Sequence, residues 1–345
     1  MDSARAQSVL KELGQPAFRW EQVRKAVYDQ SVASYDEITV LPAEVRRAMA
    51  EKAPILSLKE RRVDVSSDGR AHKALLDLPD GKTLETVLLR PSATRWTTCI
   101  SSQVGCAVAC TFCATGLMGL SLNLTPEEIT DQVLFWRQYM KRNKQDGRLD
   151  NVVYMGMGEP FACYEQVSAS LKELIDQKRF AIGSRHISVS TSGIAPKIVA
   201  FGRDFPQVNL ALSLHAATDE LRSRLVPMNK AFDLAKLGDA LKTYLAETNR
   251  KIFIEYVLLS GENDRRQDAD ALNRWLKTLG PSALVHVNLI VFNQTDTPHK
   301  PTDESDARRF QEWVMAEGFK ATVRQNLGQD IDGACGQLVV LENAA

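Results

Sequence analysis

Apolar positions between residues 3 and 52 recur at helical spacing: Val9, Leu10 and Leu13, then Trp20, Val23 and Val27, then Val45 and Met49. Turn signals at Gly14-Gln15-Pro16 and around Leu41-Pro42 cut this stretch into short helices. From about residue 55 to residue 90 the period shortens to two, punctuated by Asp68-Gly69 and Asp80-Gly81, which predicts a small antiparallel β-meander. Beyond Arg95 the chain alternates strand-like and helix-like runs, with strands expected at 96–101, 152–155, 186–191, 208–214, 252–259 and 284–290. The clearest helix start is Thr125-Pro126-Glu127-Glu128, where Thr is the N-cap, Pro sits at the first helical position and Glu closes a capping box. Six βα units in series predict an α/β fold with a parallel sheet, whose chemistry gathers at the carboxyl ends of the strands.

The chain has 345 residues, beyond the size at which one hydrophobic core usually stops growing, so a large domain with appendages is expected. Four regions follow from the pattern: an N-terminal helical accessory region at 1–54, a meander extension at 55–91, the α/β core at 92–325 and a C-terminal segment at 326–345. With 44% hydrophobic and 25% charged residues the composition is that of a folded protein, not a disordered or collagen-like one. Forty-three basic residues balance 43 acidic ones, so no global field attracts a polyanion or a membrane. Local patches must do that work, and three are candidates: Arg61, Arg62, Arg70, His72 and Lys73; Lys141, Arg142, Lys144 and Arg148; Arg222, Arg224 and Lys230. The polar first residues lack the apolar core of a signal peptide, and no run approaches ~20 apolar residues, so the expectation is a soluble cytoplasmic protein with no membrane partner.

Six cysteines in a cytosolic chain point to metal binding or catalysis before a disulfide framework. Cys106-Ala-Val-Ala-Cys110-Thr-Phe-Cys113 follows the first core strand directly. Three thiolates this close on one loop suit an iron–sulfur cluster or zinc. A structural zinc site usually adds a second ligand pair, and the sequence offers none to match, which favours a 4Fe–4S cluster with one iron left open for a ligand. A zinc loop, or three unconnected thiols, is the plainer alternative.

The loop, with Phe112 before its last cysteine, resembles the signature of the radical S-adenosylmethionine enzymes. Val152-Val-Tyr-Met-Gly-Met-Gly158-Glu159-Pro160 is similar to the segment that holds the amino group of S-adenosylmethionine in that superfamily. The resemblance narrows over Cys99-Ile-Ser-Ser-Gln-Val-Gly-Cys106, Ser190-Thr-Ser-Gly193, Leu212-Ser-Leu-His215, Val287-Asn-Leu-Ile290 and Gly328-Gln-Asp-Ile-Asp-Gly-Ala-Cys335-Gly-Gln-Leu338. Together these resemble the RlmN family of dual-specificity RNA methyltransferases, from about residue 18 to residue 340.

What the resemblance implies is specific. The core is expected to be a partial (β/α)6 radical S-adenosylmethionine barrel, with Cys106, Cys110 and Cys113 holding the 4Fe–4S cluster. Gly158, Glu159, Ser190, Ser213, Leu214, His215 and Asn293 are expected around S-adenosylmethionine, two molecules of which are used per methyl transferred. Cys335 matches the methyl-accepting cysteine, Cys99 the cysteine that resolves the RNA adduct through a transient disulfide, and Glu85 the proton acceptor. For Glu85 the plainer reading is a solvated strand carboxylate. Cys163 matches no functional position and is expected to be a packed thiol. Ile290-Val-Phe-Asn293 lacks the proline common in the family, which draws attention to the loop at 294–302 as a cover for the ligand or a contact for RNA. The implied substrates are 23S rRNA and tRNA, methylated at adenine C2, by a monomer served by an electron donor such as flavodoxin or ferredoxin. A Cfr-type C8 methyltransferase is the alternative within the same chemistry, and a non-catalytic iron–sulfur or zinc RNA-binding module the alternative outside it.

Overall fold

A computed structural model describes residues 1–339; positions 340–345, the end of the expected C-terminal segment, lie outside the described residues. The N-terminal region holds α1 (Ser3–Glu12), α2 (Phe18–Arg24) and α3 (Ala43–Lys52). Their apolar stripes, including Val9, Val23, Val27, Val45 and Met49, enter the same contiguous core as the barrel residues Trp136, Tyr154 and Leu212.

The meander forms as β1 (Lys59–Val65), β2 (Ala71–Asp77) and β3 (Thr83–Ser92), paired antiparallel. It is not a separate sheet. β3 pairs antiparallel with β4 (Arg95–Cys99), so the meander continues the main sheet at one edge. After β4 come a short hairpin, β5 (Gln103–Gly105) and β6 (Leu120–Asn123), and, between these two strands, the cysteine loop and α4 (Ala114–Leu117). The remaining elements alternate: α5 (Pro126–Arg142), β7 (Arg148–Tyr154), α6 (Tyr164–Ile175), β8 (Ile187–Thr191), α7 (Ala195–Asp204), β9 (Asn209–Ser213), α8 (Asp219–Leu225), α9 (Leu234–Thr248), β10 (Ile252–Leu258), α10 (Arg266–Lys277), β11 (Val285–Val291), α11 (Glu304–Met315) and β12 (Lys320–Val323).

Each expected core strand has its counterpart, in the spatial order β4, β7, β8, β9, β10, β11, all parallel. β12 pairs parallel with β11 and closes the sixth βα unit with a seventh strand that the pattern did not predict. The expected capping box opens α5: Glu128 N–H donates to Thr125 Oγ1 at 3.2 Å and Thr125 N–H to Glu128 Oε2 at 2.8 Å. On α5, Trp136 is fully buried and its indole N–H reaches Thr86 Oγ1 of β3 at 3.1 Å, fastening the meander to the barrel. Among the described residues no helix is long and apolar enough to cross a membrane.

Candidate active site

One cavity opens at the carboxyl ends of the parallel strands and takes its lining from nearly every expected functional segment. Cys99, Cys106, Cys110, Cys113, Gly158, Glu159, Ser190, Ser213, His215 and Cys335 all line it.

The cysteine loop leaves β5 and is pinned on several sides. Cys106 N–H donates to the Gly119 carbonyl at 3.0 Å, Thr111 N–H to the Leu225 carbonyl at 3.0 Å, and Cys113 N–H to the Cys110 carbonyl at 3.2 Å. Its three half-buried thiols pack against an apolar jacket of Val108, Phe112, Leu225, Val257 and Phe292. Burial pushes Cys110 well above its ordinary value, and the neighbouring Cys113, Cys106 and Glu159 add to the shift, so the thiols share one electrostatic environment. Among the described residues no three His, Cys, Asp or Glu side chains are close enough together to hold one metal ion. A closed zinc site needs four such ligands around one ion, whereas a cubane cluster spreads one iron to each thiolate. Three thiolates on one loop in an apolar jacket are a donor set that fits a 4Fe–4S cluster.

The turn after β7 is built by steric necessity. Gly158 has φ +100°, and a Cβ there would lie 2.5 Å from Gln103 Cβ. Only glycine lets the turn lie flat on β5 and aim Glu159 inward. Glu159 is buried; Oε1 accepts the Phe161 N–H at 2.9 Å and Oε2 the Ser192 N–H at 2.7 Å. Burial raises this carboxyl above the usual range, and the Ser192 N–H is the strongest of the hydrogen bonds that draw it back.

Ser190 Oγ and Ser213 Oγ lie 3.0 Å apart at the ends of β8 and β9. His215 follows in a left-handed backbone conformation, φ +62°, a strain of the kind that marks functional sites. Its Nδ1 accepts the Val257 N–H at 3.0 Å, which leaves the proton on Nε2. Burial, with the Arg222 charge nearby, pushes His215 down to about 3, so the ring is neutral. Phe112 of the cysteine loop meets it edge-on with ring centroids 4.9 Å apart.

Two other expected ligand residues do not line the cavity. Leu214 is fully buried and is not among the cavity-lining residues. Asn293 is also absent from the lining; its Nδ2 donates to the Cys335 carbonyl at 3.0 Å, and its Oδ1 accepts from Gln329 Nε2 at 2.8 Å. Asn293 thus anchors the segment that carries Cys335. That segment is further fixed where Ala114 N–H meets the Gly336 carbonyl at 2.9 Å and where Gln337 Nε2 meets the Gln294 carbonyl at 3.0 Å.

Cys335 is exposed in the cavity, and Cys99 faces the same space from the end of β4. Both are free thiols. Burial, helped by Cys335, pushes Cys99 up to about 12. Glu85 is not a solvated strand carboxylate: it is 4% exposed and ion-paired. Cys163 is buried and packed, as expected.

A superfamily profile described as "Radical SAM superfamily" matches residues 100–272. A curated "Probable dual-specificity RNA methyltransferase RlmN" from Staphylococcus aureus (strain bovine RF122 / ET3-1) is 40% identical over 333 residues, 96% of this chain and 89% of the relative. A second, from strain NCTC 8325 / PS 47, gives the same identity and coverage. The crystal structure of a radical SAM methyltransferase from Sphaerobacter thermophilus superposes with a TM-score of 0.91 at 40% identity, covering 98% of this chain and 97% of that one. The chain belongs to the RlmN family of radical S-adenosylmethionine RNA methyltransferases.

In this RlmN-family enzyme several members of the expected basic patches are buried or paired. Arg222 is fully buried, its guanidinium donating to the carbonyls of Ser192 at 2.6 Å and Leu214 at 3.2 Å and to Asn229 Oδ1 at 2.9 Å. His72 and Lys73 are buried as well. Several exposed members are paired with carboxylates: Arg61 with Asp77, Arg142 with Glu60 and Arg148 with Asp150. The loop at 294–302 packs on the cysteine loop, with His299 Nε2 3.0 Å from Thr111 Oγ1 and Thr295 Oγ1 3.3 Å from the Phe112 carbonyl.

Sequence reasoning missed Arg324 and Glu255, which line the cavity of this RlmN-family site and pair at 3.3 Å. Asn288 Nδ2 holds the other Glu255 oxygen at 2.8 Å. Arg324 sits close enough to Cys335 and Cys99 to draw both thiols down against burial. The signal available was the polar Glu255 within an otherwise apolar strand run, Ile252–Leu258.

Proposed function

We propose that the chain methylates C2 of one adenine in 23S rRNA and of the adenine 3′ of the anticodon in tRNA, using Cys335 as methyl carrier and Cys99 as resolver. The observation that carries this reading is that Cys335 and Cys99 open on the same cavity as the three-cysteine loop. A module that only bound RNA would need neither a carrier nor a resolver.

Cys106, Cys110 and Cys113 would hold the 4Fe–4S cluster, and the cavity beside them would take S-adenosylmethionine. When bound, these groups supply the methyl and, by reductive cleavage of a second S-adenosylmethionine, a carbon radical that can take a hydrogen atom. Glu159, its oxygens already fixed by backbone N–H groups, keeps lone pairs free for the ligand's ammonium. Ser190, Ser213 and the Nε2–H of neutral His215 offer short-range polar contacts to its nucleoside end. Cys335, exposed in the cavity, takes the first methyl on sulfur. Loss of a hydrogen atom from that S-methyl leaves a methylene radical, which bonds to C2 of an adenine turned out of its stack. The adduct would give up its unpaired electron to a one-electron acceptor such as the iron–sulfur cluster and its C2 proton to Glu85. The Cys99 thiolate would then attack the Cys335 sulfur, forming the disulfide as the S–CH2 bond breaks, and the electron pair left on that carbon would take up a proton to give the methyl group. A monomer in the cytoplasm, served by flavodoxin or ferredoxin, completes the reading.

The test is anaerobic reconstitution with iron and sulfide, incubation with ribosomal RNA and separately with tRNA using methyl-labelled S-adenosylmethionine, and mass mapping of the product. Label at adenine C2 in both RNAs is the expected result. Label at C8 would replace this reading with the Cfr-type reaction, and no label in either RNA would refute the proposed substrates.

A further inference from the structure

Lys73, expected on an RNA-facing patch, is turned inward instead. Its Nζ lies 3.0 Å from Glu85 Oε1, with both side chains less than a tenth exposed. Strand register explains the meeting: Lys73 lies opposite Val87 and Glu85 opposite Leu75, so the two are diagonal neighbours on one face of the β2–β3 pair. The same ammonium approaches the Asp332 carbonyl at 3.4 Å. The second Glu85 oxygen accepts the Val339 N–H at 2.9 Å. Asp332 and Val339 bracket Cys335, so both ends of the stretch that carries it are tied to one buried ion pair.

We propose that Lys73 is a positioning residue, whose ion pair with Glu85 docks the Cys335 segment over the cavity and keeps the Glu85 carboxylate ready to take a proton. The proposal rests on the reading of Glu85 as proton acceptor. A buried carboxylate left alone prefers its neutral form, which cannot accept a proton. Burial does raise Glu85, and Lys73 is the largest influence pulling it back, while Asp332 pushes the other way. The remaining neighbours are uncharged: Met157 sulfur takes the Glu85 N–H at 3.4 Å, and Ser101 Oγ donates to the Glu85 carbonyl at 2.6 Å. In the reaction the C2 proton passes to a Glu85 oxygen, the C–H electron pair stays on the adduct ring, and the adduct's one unpaired electron leaves to the one-electron acceptor that the proposed function already requires. Neutral Glu85 then no longer holds Lys73, which loosens the Cys335 segment when Cys99 must reach its sulfur.

Two variants test this, Lys73→Met and Lys73→Arg. In the chain without cluster, amide hydrogen exchange should accelerate about tenfold or more across 332–339 in Lys73→Met, with β2 and β3 unchanged. Lys73→Arg should restore most of the protection. In the reconstituted enzyme, Lys73→Met should still cleave S-adenosylmethionine but accumulate the covalent Cys335–RNA adduct. The alkaline-rising limb of its pH–rate profile should move up by about one unit, because a carboxyl that has lost its cation ionises at higher pH. Unchanged exchange at 332–339, a uniform acceleration through the whole sheet, or an unmoved pH profile would each overturn the proposal. Glu85→Gln separates the two layers: normal turnover in that variant removes the proton-acceptor reading and the proposal's catalytic half with it, while the exchange result still decides whether Lys73 docks the segment.

Discussion

Gly158→Ala replaces one hydrogen by a methyl at the turn that aims Glu159, and the structure sets the cost. Residue 158 has φ +100°, a conformation that strains any L-residue by ~1–2 kcal/mol. The new Cβ would lie 2.5 Å from Gln103 Cβ, 2.8 Å from its Cγ and 2.9 Å from its backbone nitrogen. Gln103 cannot swing away cheaply, because its Oε1 accepts the Glu159 N–H at 2.8 Å and its Nε2 donates to Asn123 Oδ1 at 2.7 Å. Relieving the overlap requires a backbone shift of the kind that costs ~1–3 kcal/mol in overpacked cores. The total is about 2–5 kcal/mol, read as a lowered midpoint in urea denaturation of the chain without cluster. The same shift displaces Glu159, so S-adenosylmethionine binding to the reconstituted enzyme, followed by equilibrium dialysis, should weaken by about tenfold to a hundredfold, the worth of one charge-assisted hydrogen bond. Iron content should hold, since the cysteine loop is anchored elsewhere. A variant with the parent's urea midpoint and undiminished ligand binding would show that the Gly158 turn is neither tightly packed nor part of the ligand site.

Cys335→Ala should form the cluster yet neither become methylated nor bond to RNA, whereas Cys99→Ala should accumulate a nuclease-sensitive adduct visible on denaturing gels. An adduct that survives Cys335→Ala would remove the carrier scheme. Replacing Cys106, Cys110 or Cys113 with Ala should abolish iron–sulfur absorbance and cleavage of S-adenosylmethionine together; stoichiometric zinc without iron uptake in the parent would refute the assignment. His215 is held down to about 3 against an ordinary value of 6.5, so its contribution to stability is fully present above about pH 6.5 and is lost as pH falls toward 3. His215→Gln should flatten that part of the stability–pH curve, and an unchanged slope would mean the ring is not buried neutral.

What the sequence determined by itself was whatever depends on neighbours close along the chain. Periodicity located the strands that became β4, β7, β8, β9, β10 and β11, and the Thr125–Glu128 box marked the start of α5, because helix caps and strand alternation act over a few residues. The Cys106, Cys110 and Cys113 spacing marked, for the same reason, the loop whose thiols line the cavity. β12, four residues long, was too short for its alternation to register and formed only because β11 offered an edge. Charge was legible but its setting was not: Arg222, His72 and Lys73 read as surface cations and are buried. The meeting of Lys73 with Glu85 follows from strand register, that of Asn293 with Cys335 from the return of the C-terminal segment across the strand ends, and that of Arg324 with Glu255 from the parallel order of β10, β11 and β12. A buried charge must find its partner wherever the topology delivers one, and residues 69 positions apart, as in the Arg324–Glu255 pair, carry no local pattern that says they will meet.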